Sequence, residues 1–107
     1  MAWLYLLVAG LLEVVWAVAM KQSDGFSRPI PSIVTVVGMI LSFWLLSMAM
    51  KSLPLGTAYT IWTGIGAVGA FVLGIVAFGE QVTAGRVTAA VLIVSGLVLM
   101  KLASPSA

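Results

Sequence analysis

Ile30 to Met50 is a run of twenty-one residues without a charge, and such a run has few structural options. At 1.5 Å of rise per residue it makes a helix about 31 Å long, matching a hydrocarbon core of about 30 Å. Three further apolar stretches accompany it, near Trp3–Met20, Thr57–Phe78 and Val87–Met100. With 63% hydrophobic and only 7% charged residues, the chain of 107 lacks the polar surface of a soluble domain. It reads as an all-α membrane protein: one domain, residues 1–107, with four transmembrane helices predicted at about 3–20, 30–50, 57–78 and 86–102.

Against that background one residue stands out. Glu13 is the only charged side chain between Ala2 and Met20, and helical rise puts it roughly 15 Å from Trp3, near mid-depth. A charge there costs about 2.5–3.5 kcal/mol on insertion scales, so such residues face the protein interior and usually have a function. Gly10 and Ala9 one turn earlier, and Ala17 one turn later, share its side of the helix and leave space beside the carboxylate, while Trp16 supplies a flat wall. The bland alternative is that the small residues only let helices approach closely, with a protonated Glu13 hydrogen-bonding a neighbour. A carboxylate that can trade a proton for a cation is the minimum equipment for proton-coupled cation transport. The chain has no His, so Glu13 has no side-chain competitor for that role near neutral pH.

The remaining charges mark boundaries. The five Lys and Arg residues sit at segment ends, which suits a lipid bilayer and not a nucleic acid. There are no cysteines, hence no disulfides or thiolate metal sites. No metal cluster, nucleophile–base pair or phosphate-binding loop is visible, so neither an enzyme nor a cofactor is expected. Ala17-Val18-Ala19 resembles a signal-peptidase site, but the absence of a basic leader and the presence of Glu13 argue against cleavage. The last residues, Lys101 to Ala107, read as a short polar tail.

Along the second helix, Thr35, Gly38, Ser42 and Ala49 form a small or hydroxylated stripe, from which Ser42 is positioned to hydrogen-bond either Glu13 or its own helix. The third helix holds Gly64, Gly66, Gly69 and Gly74. These permit close packing, a bend at Gly64-Ile65-Gly66, or both. Tyr59, Trp62 and Gly66 share a face there, with Tyr59 near the membrane boundary and Trp62 deeper. The fourth apolar run has only fourteen residues, so Arg86 and Lys101 must snorkel or the helix must take residues from its loop. Ala89, Leu92, Ile93 and Gly96 lie along one side of it and suit a helix–helix seam.

Four helices with one acid do not readily enclose a path open to each side in turn, and transporters usually solve this with inverted repeats. No internal repeat is visible, but two copies inserted in opposite orientations would supply one. Lys21, Arg28 and Arg86 fall on one membrane side, Lys51 and Lys101 on the other. That one-charge difference gives a weak orientation bias and permits an antiparallel, dual-topology homodimer in which two Glu13 carboxylates share a site.

The stretches Ala9-Gly10-Leu11-Leu12-Glu13-Val14-Val15-Trp16-Ala17, Gly25-Phe26-Ser27-Arg28 and Met50 through Ala70 resemble the small multidrug resistance family over nearly the whole chain. Gly10, Trp16 and Lys101 resemble its guanidinium exporter subtype. The resemblance implies an antiparallel homodimer of four-helix subunits in a bacterial inner membrane, exchanging guanidinium-type cations for protons. It also implies a proton and substrate site of Glu13 with Gly10, Trp16, Ser42, Tyr59 and Trp62, a hinge at Gly64 and Gly66, and dimerisation through the fourth helix. At the position of Ala89 many members carry Gly. Rival readings are an exporter of quaternary ammonium or other hydrophobic cations, with substrate alkyl groups near Met39 and Phe43, and a non-transporting accessory subunit.

Overall fold

The computed structural model describes residues 1–104; Pro105, Ser106 and Ala107 of the polar tail lie outside the described residues. It comprises α1 (Ala2–Gln22), α2 (Pro29–Ala49), α3 (Leu55–Phe78) and α4 (Ala84–Ala103). Each is long and apolar enough to cross a membrane.

Local chemistry sets the helix ends. After α1, Ser23 donates its hydroxyl to the Met20 carbonyl at 2.6 Å and accepts from the Phe26 N–H at 3.1 Å. Asp24, Gly25 and Phe26 then take left-handed backbone angles, φ 51°, 71° and 66°, and Pro29 opens α2 at a position where its missing N–H costs nothing. Pro54 caps α3 at its start, and Gly79 ends it with φ 64°. The Gly79 and Glu80 N–H groups both reach back to the Gly74 carbonyl, the latter at 3.1 Å, and close the helix end. Thr83 caps α4 by accepting from the Arg86 N–H at 3.1 Å.

That cap starts α4 ahead of its apolar run. By including Ala84-Gly85-Arg86 and Lys101-Leu102-Ala103 the helix reaches twenty residues, about 30 Å, a full span. Arg86 is carried at its first turn by a 3.1 Å ion pair to Glu80 and by the Phe71 ring, 5.1 Å from the guanidinium carbon.

Packing follows the small residues. α1 lies between α2 and α3, and α4 rests on α3. The buried positions of α2 are Thr35, Gly38, Ser42, Leu46 and Ala49, so the hydroxylated stripe is the face turned inward. Leu6, Ala9, Leu46, Ala49, Ala58, Ile61 and Trp62 belong to the buried core. α4 contributes no buried residue. The described residues measure 42 × 34 × 16 Å across their principal axes, so the chain forms a slab little thicker than one helix with its side chains. Ile30, Val76, Leu92 and Leu99 are among many large apolar residues left exposed, which in water would be untenable and in lipid is ordinary.

Candidate functional site

The site begins with a close approach of α1 to α3. At three points a glycine of one helix admits a side chain of the other: a Cβ on Gly66 would overlap the Glu13 carboxylate, one on Gly69 would overlap Val14, and one on Gly10 would overlap Ile65. Glu13 is thus received by the backbone of α3 at Gly66. At Gly10 the geometry is that of the close-packing alternative and not of a space beside the acid. The notch it leaves is filled by Ile65, so in this conformation it brings α3 close and does not leave a void beside the acid.

Ser42 also differs from expectation. It reaches neither Glu13 nor its own helix: its hydroxyl donates to the Ala9 carbonyl on α1 at 2.7 Å and accepts from the Trp62 indole N–H on α3 at 2.9 Å. In an α-helix the carbonyl of residue 9 also accepts the N–H of residue 13. Ser42 therefore holds the turn of α1 that carries Glu13, through the backbone and not through the carboxylate. Trp62, four residues before Gly66 and on the same face of α3, is fixed in orientation by the same bond.

Aromatic rings extend the site across three helices. Trp16 packs its Cβ side against Gly38 of α2, and its ring meets Phe43 edge-on with centroids 6.3 Å apart. Phe43 meets Trp62 at 5.6 Å, and Trp62 meets Tyr59 at 5.7 Å. Trp62 is buried, whereas Tyr59 is 53% exposed and lines a groove of about 490 Å³ with Thr63, Gly64, Ile93 and Gly96. Phe43, which the sequence suggested only as a neighbour of substrate alkyl groups beside Met39, links the two Trp residues.

Two atoms in this region stand apart. Among the described residues, Glu13 Oε1 and Trp16 Nε1 are the buried side-chain polar atoms without a hydrogen-bond partner. Structures seldom bury such groups unsatisfied, since each costs about 1–3 kcal/mol, more if charged. An acceptor and a donor therefore lie within a turn of each other on α1, both buried with their hydrogen-bonding capacity unused.

The other expected positions fall as follows. Gly64 receives Leu97 of α4, and the α-helical pattern runs unbroken through Gly64-Ile65-Gly66. On α4, Ala89 and Ile93 border a small groove of about 210 Å³ against Ala67, Val68 and Phe71. Leu92 is 67% exposed, and a Cβ on Gly96 would meet nothing in its own chain.

Residues 1–103 match the family described as Small Multidrug Resistance protein. Over 104 residues the chain is 57% identical to a guanidinium exporter of Yersinia pseudotuberculosis, covering 97% of this chain and all of that protein. It is 56% identical to guanidinium exporters of Salmonella typhimurium and Escherichia coli K12, over 97% of this chain and 99% of each. With four membrane-crossing helices and a family match over nearly its full length, the chain is a multi-pass membrane protein of the small multidrug resistance family.

Proposed function

We propose that this protein exports guanidinium and small guanidinyl cations in exchange for protons, and that Glu13 is where the two compete. The observation that carries the reading is the Glu13 carboxylate near mid-depth with Oε1 unpartnered. The names of its relatives, guanidinium exporters at 56–57% identity, support the substrate class.

Guanidinium is a planar cation whose N–H fork meets a carboxylate with two parallel bonds. A deprotonated Glu13 accepts that fork. The Trp16 and Trp62 faces add cation–π attraction of about 0.5–2 kcal/mol, and Ser42 and Tyr59 hold the surrounding rings and helix turn. A proton arriving from the opposite side neutralises Glu13 and releases the cation. Because a protonated Glu13 cannot host the cation and a cation-bound one cannot host the proton, outward cation movement is exchanged for inward proton movement. The gradients stay coupled if the conformational change proceeds readily only with the site occupied.

Alternating access requires more than one 16 Å slab. The 107-residue chain is read as one four-helix transmembrane domain that pairs with an inverted copy of itself in a bacterial inner membrane. The seam lies at Ala89, Leu92, Ile93 and Gly96, and the two Glu13 carboxylates share a central site. Small residues at Gly64 and Gly66 let α3 bend between the two states.

The test is uptake of guanidinium driven by a proton gradient into liposomes containing only this chain, with Glu13→Gln as control and a tetra-alkylammonium ion as competing substrate. Guanidinium transport by the parent and none by Glu13→Gln is expected. Tetra-alkylammonium transport in place of guanidinium would reassign the substrate class, and folded protein silent toward both cations would overturn the transporter reading.

A further inference from the structure

At the end of the molecule where α1 begins and α4 stops, a groove of about 720 Å³ opens between α1, α3 and α4. Its floor and walls are apolar, including Leu4, Leu7, Ile61, Ile65 and Val98, and its outer end carries Trp3, Lys101 and Ser104. From Ser104 to Leu97 is seven residues, about 10 Å along the helix, so the groove reaches roughly two thirds of the way through a ~15 Å leaflet core. The Lys101 ammonium sits 4.3 Å from the centroid of the Trp3 ring, which fixes it at the mouth while leaving N–H donors free. The Ser104 hydroxyl is near Thr57 Oγ1, at 3.3 Å, and adds a second polar group to the same rim.

The charges at this end are one-sided. Lys51 and Lys101 both lie here, whereas Asp24 and Glu80 belong to the loops at the opposite end and Glu13 lies at mid-depth. No acidic side chain competes for Lys101: among the described residues the salt bridge is Arg86–Glu80, at the other end. Val98, nine residues or two and a half helical turns from Ala89, lies on the opposite side of α4 from it, while Leu97 lines both this groove and the one beside Ile93 and Gly96.

We propose that this groove is a binding site for one anionic phospholipid, whose phosphate is held by Lys101 beside Trp3 and whose acyl chain lies along Leu4, Leu7, Ile65 and Val98. Charge complementarity and membrane depth select this occupant: an apolar trough that opens to lipid ends, at headgroup level, in a cation that has no carboxylate partner among the described residues. A zwitterionic lipid would fill the trough but would set its own ammonium beside Lys101. The inference is independent of what the protein transports.

The test uses vesicles of phosphatidylcholine doped with phosphatidylglycerol or phosphatidylcholine brominated high on the acyl chain, reading the tryptophan emission that Trp3→Phe removes. Brominated phosphatidylglycerol is expected to quench Trp3 at about a fivefold lower mole fraction than brominated phosphatidylcholine, the scale set by one lysine at an anionic surface. Lys101→Gln should equalise the two lipids, while Lys101→Arg and Lys51→Gln should keep the preference. Equal quenching in the parent, a preference that survives Lys101→Gln, or an equal loss in Lys51→Gln would each overturn the proposal.

Discussion

The Trp62 indole N–H donates to Ser42 Oγ, and Ser42 donates onward to the Ala9 carbonyl, so a single hydroxyl fastens α3 and α2 to the turn of α1 that carries Glu13. Each group in this relay is buried where lipid and protein offer no substitute partner, which makes the hydroxyl hard to replace.

Ser42→Ala leaves the Trp62 N–H without an acceptor and takes a donor from Ala9. A stability loss of about 1–3 kcal/mol is expected, read as a lower unfolding midpoint in detergent. Combined with Trp62→Phe the losses should be less than additive, because the second change removes the donor that the first has stranded. Additive losses would show that the two side chains act separately.

Gly66→Ala places a methyl group where the Glu13 carboxylate now sits. The carboxylate or α3 must shift, at about 1–3 kcal/mol for an overpacked site, and guanidinium binding should weaken by roughly ten- to hundredfold. Gly85→Ala is the comparison, since its Cβ would meet nothing; binding isotherms for the two variants separate local obstruction from a general helix effect.

Gly96→Ala is silent within the protomer, where its Cβ has open space. If α4 forms the subunit seam, the same methyl group should weaken self-association by about 1–3 kcal/mol while the protomer's helix content is unchanged. Crosslinking yield against protein concentration in detergent measures this. An unaltered dimer would move the seam elsewhere.

Competition at Glu13 fixes the sign of the pH response. Protonation occupies the carboxylate that the cation needs, so apparent guanidinium affinity should fall as pH falls, by up to about tenfold per pH unit if one proton leaves for each cation bound. The steepest dependence lies below the midpoint of the site's own titration, and affinity levels off above it. Isothermal titrations across pH 5 to 9 in buffers of different protonation enthalpy would count the released protons, and a flat profile would remove Glu13 from the competition.

Much of this arrangement was legible in the chain because membranes simplify the problem. Uncharged runs of about twenty residues have one solution in lipid, so Ile30–Met50 gave α2 almost directly, and a wheel over Thr35, Gly38, Ser42 and Ala49 identified its inward face. What periodicity leaves open is how each helix is rotated and shifted against its neighbours. That is why Ser42 could be placed opposite α1 but not matched to the Ala9 carbonyl. It is also why Gly10 read as a space beside Glu13, when Ile65 from a helix fifty residues later fills it. The fourteen apolar residues of the last segment understate α4, which the sequence predicts at about 86–102; the structure starts it two residues earlier, at Ala84, because Thr83 caps it there while Arg86 places its charge on Glu80 and its plane near Phe71.

α4 buries no residue against its own chain, which separates two kinds of selection that are entangled in most proteins. A substitution in α1 or α3 must first leave the protomer able to fold, and only then can it alter what the protein does. Outside Leu97 and Met100, which pack against the core, substitutions on the exposed face of α4 bypass that first filter and are judged by the molecules the helix meets. A duplicated copy of this chain could thus change its associates at α4 while inheriting the Glu13 site intact.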